Sequence, residues 1–116
     1  MNDITINDIG GIVVNSALTE AVYYILLSLL APSHGYGIMQ NVEKLSAGRV
    51  KLAAGTLYGA INALLEKGWI KALPENPNSR KKEYVITDLG KEVLLGEINR
   101  LKELLTNGES VFGGIR

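Results

Sequence analysis

The segment 54–88 places a short amphipathic helix directly before two strand-like runs, and this order restricts the fold more than any other feature. In 54–67, leucine and isoleucine recur on one side of a helix, and the opposite side carries small or polar residues. The runs 69–73 and 84–86 follow, and the turn between them holds three consecutive cations at 80–82. A helix followed by a hairpin with a basic tip is typical of a winged helix-turn-helix.

The charge of the chain is balanced in total but uneven along its length. Lys and Arg number 12 and so do Asp and Glu, which makes the formal net charge zero. Segment 34–87 nevertheless carries a net charge of +4, against −3 for 1–33 and −1 for 88–116. Because the positive charge is confined to the segment with the helix and the basic turn, it predicts double-stranded DNA as a partner, bound with salt-dependent affinity.

Composition excludes several classes of protein. The 116 residues match one compact domain, and the absence of cysteine from the sequence rules out a disulfide framework and thiolate metal sites. With His34 as the one histidine, we expect no metal centre, no cofactor and no catalytic residue set. The longest apolar run, 21–31, is interrupted by Ser28 and is shorter than the ~20 residues that span a bilayer. The N-terminus lacks the positive region of a signal peptide, so a cytoplasmic location is predicted.

Periodicity and turn signals predict the organisation along the chain. We expect an N-terminal arm or tail at 1–17, a winged helix-turn-helix at 18–87, a C-terminal dimerisation helix at 88–107 and a tail at 108–116. The predicted helices run from Leu18 to Ala31 before Pro32, from the His34-Gly35-Tyr36-Gly37 turn to Leu45, from Ala54 to Lys67 before Gly68, and from Asp88 to Asn107 before Gly108. Thr19 and Thr87 are the expected N-caps of the first and last helices. The predicted fold class is mainly α (α+β), with a two-stranded wing.

Two of these helices present more apolar surface than a domain of this size buries by itself. The first is apolar around nearly its whole circumference, and a helix of that kind needs contacts on every side. The last carries apolar residues at a 4-3-4 spacing, which is the narrow seam of a coiled coil. We therefore predict a homodimer whose interface contains Val22, Ile25, Leu29, Leu94, Ile98, Leu101 and Leu105.

Candidate DNA-contacting residues lie on the outer side of the third helix and at the basic turn. Thr56 and Tyr58 belong to the first turn, where hydroxyls reach phosphates or base edges, and the Asn62 amide suits bidentate pairing with adenine. Each feature also has a simpler interpretation, because Tyr58 could pack against the wing and the charge run could be a solvated turn. The complete predicted DNA-binding set is Tyr36, Lys51, Thr56, Tyr58, Asn62, Arg80, Lys81 and Lys82.

Three groups of residues give the chain a resemblance to a known family. They are His34-Gly35-Tyr36-Gly37-Ile38, then Gly55-Thr56-Leu57-Tyr58 with Ile61, Leu64 and Gly68, and then the run from Arg80 to Gly90. In this order they cover roughly three quarters of the chain, from about Leu18 to Leu105. They resemble the PadR-like winged-helix transcriptional regulators. The chain departs from the usual residues of that family at Ala63, Leu65, Ser79 and Glu83.

The resemblance implies a homodimer joined through the first and last helices, and a repressor that a small molecule or a stress signal releases. We therefore predict a sequence-specific DNA-binding regulator that is not an enzyme, with no membrane association and with a small-molecule effector of unknown identity. The alternative prediction is a winged-helix module that binds protein partners and no DNA. The basic wing would then serve as an electrostatic docking patch, and salt-sensitive retention on duplex DNA separates the two functions.

Overall fold

The computed structural model describes residues 17–114, which contain four helices and one three-stranded sheet. In chain order the elements are α1 (Glu20–Ser28), β1 (Ser33–His34), α2 (Gly35–Leu45), α3 (Ala54–Lys67), β2 (Ile70–Ala72), β3 (Glu83–Ile86) and α4 (Asp88–Gly114). The mixture of helices with a small antiparallel sheet confirms the predicted mainly α (α+β) winged-helix class. The described chain divides into two compact units, Leu18–Leu94 and the part of α4 from Leu95 onward. The arm or tail predicted at 1–17 lies outside the described residues, except for Ala17.

Helix α1 has the predicted N-cap, begins at Glu20 rather than Leu18, and ends earlier than predicted. The Thr19 hydroxyl accepts a hydrogen bond from the Val22 amide at 3.1 Å, which confirms Thr19 as the N-cap. The predicted end at Ala31 is wrong, because the last helical residue is Ser28. The next carbonyl, that of Leu29, accepts a hydrogen bond from the Ile86 amide of β3 at 2.8 Å. The chain therefore leaves the helix to join the sheet before it reaches Pro32.

A short strand lies between α1 and α2, where only a turn was predicted. Ser33 and His34 of β1 pair antiparallel with Tyr84 and Glu83 of β3, which gives the sheet order β1-β3-β2. The His34 side chain also caps α2, since its Nδ1 accepts a hydrogen bond from the Gly37 amide at 3.2 Å. The predicted two-stranded wing is present as β2 and β3, and β1 extends the sheet on the other side of β3.

Helix α3 has the predicted bounds. Gly68 follows it at a φ of 75°, in the left-handed region where glycine avoids the strain of a Cβ, and its amide donates to the Leu65 carbonyl. The predicted apolar stripe faces the core, and its buried members are Leu57, Ile61 and Leu64. The opposite face of the helix is therefore left for contacts outside the domain.

Strands β2 and β3 form the base of the wing. They pair antiparallel, with Ile70 opposite Ile86. The Leu73 amide donates to the Glu83 carbonyl at 2.9 Å and continues the pairing beyond β2. The loop 74–82 that follows is exposed throughout, so the basic tip projects from a sheet that is itself anchored in the core.

The core of the Leu18–Leu94 unit lies where α1, α2, α3 and the sheet pack together. Its fully buried side chains are Ile25, Leu26, Leu29, Ile38, Val42, Leu57, Ile61 and Ile70. Three predicted interface residues belong to this core, because Ile25 and Leu29 are 0% exposed and Leu94 is 4% exposed. The expectation that these three need a second copy of the chain for burial is therefore wrong. Val22 is half-buried.

Helix α4 begins at the predicted residue and continues past the predicted end. The Thr87 hydroxyl accepts a hydrogen bond from the Gly90 amide at 3.0 Å, which confirms Thr87 as the N-cap. The predicted end at Asn107 is wrong, and the predicted tail is helical as far as Gly114, where the described residues end. Gly108 has no positive φ, so it stays helical at a cost of about 1 kcal/mol relative to alanine. Every residue from 101 to 114 is exposed.

Candidate nucleic-acid interface

The outer face of α3 is open to solvent. Thr56, Asn62 and Ala63 are exposed on this face. A Cβ added at Gly55 or at Gly59 would meet no atom of residues 17–114 within 4 Å, so neither glycine is required by packing inside this unit. Because the side chains here are short, another surface can come close to the helix backbone, and a major groove about 12 Å wide admits such a helix.

The first turn of α3 has hydrogen-bond donors that no side-chain cap occupies. Ala53 occupies the N-cap position and provides no side-chain hydrogen bond to the turn. The amides at the start of a helix have no partner within the helix, and they concentrate a positive partial charge. Thr56 lies in this turn and adds an exposed hydroxyl. Such a turn suits the oxygen atoms of a phosphate.

The Tyr58 side chain makes contacts within the domain that its position on α3 does not predict. Its side chain is 46% exposed, but its hydroxyl lies against Gly35, where an added Cβ would overlap it. Burial raises the pKa of the Tyr84 hydroxyl, and the neighbouring Tyr58 phenol raises that pKa further. The Tyr58 hydroxyl therefore lies against the first residue of α2 and near Tyr84 of β3, and about half of the Tyr58 surface remains for contact with another molecule.

Tyr36 and Lys51 are brought together at a shallow depression beside α2. Tyr36 lies in the first turn of α2 and is 63% exposed, and Lys51 lies in the connector between α2 and α3. Both line the depression, and its other walls are Met39, Gln40, Glu43 and Leu52. A phenol hydroxyl and an ammonium group at one place are donors suited to phosphate oxygens.

Two residues of this region are not distinguished by sequence reasoning. Gln40 lies one turn after Tyr36, is exposed, and adds an amide to the same depression. The i, i+4 spacing of these two residues is the signal that relates them. Arg49 lies close to Lys51 in sequence, but its guanidinium forms an ion pair with Glu20 of α1. Arg49 is therefore less available to an anionic partner than its charge indicates.

The three cations of the wing are exposed and have no ion-pair partner in the described part of the chain. The ion pairs in residues 17–114 join Arg49 to Glu20 and Arg100 to Glu97. The side chains at 80–82 form none of these pairs and are exposed. Within the turn, the Asn78 amide donates to the Asn76 side chain at 2.9 Å and the Lys81 amide donates to the Ser79 hydroxyl at 3.2 Å. Short polar side chains therefore shape the turn, and its charges remain available to an anion.

Two glycines of this region should respond oppositely to the same substitution. Gly35→Ala should lower the free energy of unfolding by about 1–3 kcal/mol, because the new Cβ forces Tyr58 to move. Gly59→Ala should raise it by about 0.5–1 kcal/mol, because alanine favours an open helical position more than glycine does. Urea unfolding followed by circular dichroism measures both changes. Shifts of the same sign would contradict the contrast between a filled site and an open one.

The described residues offer hydrogen bonds and charge rather than metal chemistry. In the range 17–114, no group of three or more His, Asp or Glu side chains is placed to hold a metal ion. None of the helices in this part of the chain combines the length and the apolar character needed to cross a bilayer. The groups that the site presents are hydroxyls, amides and cations.

A helix with an open outer face, followed by a wing with a basic tip, defines the winged helix-turn-helix class. The sequence profile described as "Transcriptional regulator PadR-like family" matches residues 25–95. The chain therefore belongs to the PadR-like family, whose members are transcriptional regulators and not enzymes. This result confirms the resemblance seen in the sequence.

Solved structures of PadR family regulators share the fold. A PadR family transcriptional regulator from Eggerthella lenta is 25% identical with a TM-score of 0.59, covering 78% of this chain and 79% of that chain. A PadR family transcription regulator from Clostridium difficile is also 25% identical with a TM-score of 0.58, covering 78% of this chain and 96% of that one. The fold and the family assignment therefore agree.

A curated relative shows a similar segment inside a longer chain. An uncharacterized 37.1 kDa protein in a transposon of Streptomyces fradiae is 33% identical over 88 residues. The match covers 74% of this chain but 24% of the relative, so the chain spans about a quarter of the length of that protein.

Proposed function

We propose that this chain is a sequence-specific DNA-binding repressor that acts as a homodimer in the cytoplasm. Membership of the PadR-like family supports a role in transcription. The observation that carries the proposal is the open outer face of α3, followed in the chain by three exposed cations at 80–82 that form no ion pair within residues 17–114. A helix face with short side chains suits entry into a major groove, and the cations suit contact with the phosphate backbone or the minor groove.

Helix α3 reads the major groove in this proposal. Thr56 and the main-chain amides of its turn bind a phosphate and fix the register of the helix. Asn62, one turn and a half further along, pairs with an adenine through both atoms of its amide. Tyr58 contributes the exposed half of its ring, because its hydroxyl faces Gly35.

Phosphate contacts on either side of α3 provide most of the affinity. Tyr36 and Lys51 bind the backbone from the depression beside α2. Arg80, Lys81 and Lys82 bind it from the wing. Helix α3 itself carries few cations, so it supplies selectivity while these flanking donors supply sequence-independent attraction.

The homodimer forms through the apolar seam of α4. Ile98 is half-buried in the single chain, and Leu101 and Leu105 are 39% and 61% exposed. A second copy that covers this seam would hold two α3 helices for two half-sites of an operator. The bound dimer represses by blocking access to the DNA, and a small-molecule effector of unknown identity or a stress signal releases it.

Duplex DNA binding across a salt series tests the proposal. Purified full-length protein should bind random duplex DNA at low salt and lose affinity steeply as salt rises. Selection of bound sequences from a random pool should then yield a two-fold symmetric operator. The near-zero net charge favours the rival function, a winged-helix module that docks to proteins. Absence of salt-sensitive duplex binding would reject the repressor and support that module.

The Asn62→Ala substitution should lower selectivity and leave non-specific affinity nearly constant. Loss of one bidentate base contact should reduce the difference in binding free energy between operator and scrambled duplex by about 1–3 kcal/mol. Competition binding of the two duplexes measures this gap. Asn99→Ala is the matched control, because Asn99 is an exposed helical residue of α4. If the gap is unchanged in Asn62→Ala, shape readout by the dimer selects the site instead.

A further inference from the structure

One hydroxyl joins the end of α3 to the start of α4. The Thr87 Oγ1 donates a hydrogen bond to the Gly68 carbonyl at 2.6 Å and accepts one from the Gly90 amide at 3.0 Å. The Thr87 amide donates to the Trp69 carbonyl at 2.9 Å. The Gly68 carbonyl and the Gly90 amide are both groups that a helix end leaves without a partner inside the helix. Thr87 satisfies both at once.

Close packing of Gly90 against the chain after α3 holds the same region. A Cβ added at Gly90 would overlap the Trp69 carbonyl oxygen and would lie 2.7 Å from Cγ1 of Ile86. The first turn of α4 therefore rests directly on the main chain that leads from α3 into β2. We call this contact of Gly68, Trp69, Thr87 and Gly90 the α3–α4 joint.

The α3–α4 joint differs from an ordinary helix cap. Thr19 is also an N-cap threonine, and its hydroxyl accepts from the Val22 amide within its own helix. Thr87 makes the equivalent bond and, in addition, donates across to a different helix. The direction in which α4 starts is thus tied by a hydrogen bond to the C-terminal end of the helix that faces outward.

We infer that the α3–α4 joint sets the spacing between the two reading helices of the dimer, with Thr87 as a positioning residue for half-site spacing. The inference rests on the proposed function, because it takes α3 as the reading helix and α4 as the dimerisation helix. The joint connects these two helices in each subunit. A change in the joint alters where α3 lies relative to the two-fold axis without altering the face that contacts bases.

The length of α4 makes its starting direction important. At 1.5 Å per residue, the seam at Ile98 to Leu105 lies roughly 15 to 25 Å along the same helix from Asp88. Neighbouring half-site spacings differ by one base-pair step of about 3.4 Å.

Three substitutions of Thr87 separate the joint from simple capping. Thr87→Ser keeps both hydrogen bonds. Thr87→Asp keeps a good capping acceptor for the Gly90 amide but cannot donate to the Gly68 carbonyl. Thr87→Val removes both bonds. Thr19→Val is the matched control, because it removes a threonine cap of similar kind from α1 and leaves the joint intact.

The experiment measures binding of full-length protein to duplexes that carry two selected half-sites, with the spacing varied one base pair at a time. Wild type, Thr87→Ser and Thr19→Val should prefer one spacing by about tenfold over its neighbours, a discrimination comparable with that of a base mismatch. Thr87→Asp and Thr87→Val should lower that preference to about threefold or less, or move it to another spacing. Measurements are made at a temperature where circular dichroism shows each variant folded.

The outcomes distinguish this inference from the proposed function. If Thr87→Asp keeps the wild-type preference, the joint does not set spacing and the inference is overturned. If wild-type protein binds duplexes but is indifferent to spacing, the inference is overturned while DNA binding stands. If wild-type protein binds no duplex at any salt concentration, the proposed function fails and the inference fails with it.

Discussion

Replacing Arg80, Lys81 and Lys82 together with alanine is expected to weaken binding to every duplex sequence alike. Each phosphate contact contributes about one to the slope of affinity against salt, so the slope should flatten by up to ~3 per subunit. Between 50 and 200 mM salt, the wild type should then lose roughly 40-fold more affinity per subunit than the variant. Stability should hardly change, because exposed charges contribute little to folding. Fluorescence anisotropy of a labelled duplex measures the slope.

A second triple variant separates the wing from net charge. Lys44, Lys91 and Lys102 are exposed cations outside the wing, and replacing them with alanine removes the same charge. If both triple variants flatten the salt slope equally, the effect comes from overall charge. If the wing variant binds like the wild type at each salt concentration, the wing does not touch the DNA backbone.

The parts of the fold that sequence predicts well are those with local signals. Helix α3 has its predicted bounds because its apolar stripe and Gly68 lie within the helix itself or next to it. Thr19 and Thr87 are caps as predicted because a cap is decided by residues three positions apart. In each case the determining contacts lie within one or two turns of chain.

The parts that sequence does not predict depend on distant residues. Helix α1 ends early because the Leu29 carbonyl pairs with the Ile86 amide, which lies far along the chain. Strand β1 has two residues, too few to show alternation, and it exists because β3 offers a partner. The burial of Ile25 within one chain follows from the packing of α1 on α2, which apolar character alone does not reveal.

The candidate site shows the same division. Exposure of Thr56 and Asn62 follows from their position opposite the buried stripe of α3, so helical periodicity predicts it. Tyr58 is different, because the end of a long side chain reaches residues that periodicity does not place. Its contact with Gly35 depends on how α2 and α3 cross, and that crossing is a property of the whole unit.

Substituting Ile98 and Leu101 together with glutamate is expected to produce monomers and to lower operator affinity by about 10²–10⁴-fold. Two carboxylates in the apolar seam of α4 would have to be desolvated without a partner, which opposes association. Separate subunits lose the effective concentration that linking two half-site contacts provides, and this loss sets the size of the effect. Sedimentation measures the assembly, and binding to operator and half-site duplexes measures the affinity.

A control variant on the same helix tests whether the effect is specific to the seam or follows from the loss of any exposed apolar residues. Leu95 and Val111 are 58% and 71% exposed and lie off the seam, so replacing both with glutamate should leave the dimer intact. The Leu18–Leu94 unit has a buried core of its own, so the seam variant should keep most of its circular dichroism and its affinity for a single half-site. A folded wild-type monomer at micromolar concentration would reject the dimer. A dimeric seam variant would instead place the interface elsewhere on the chain.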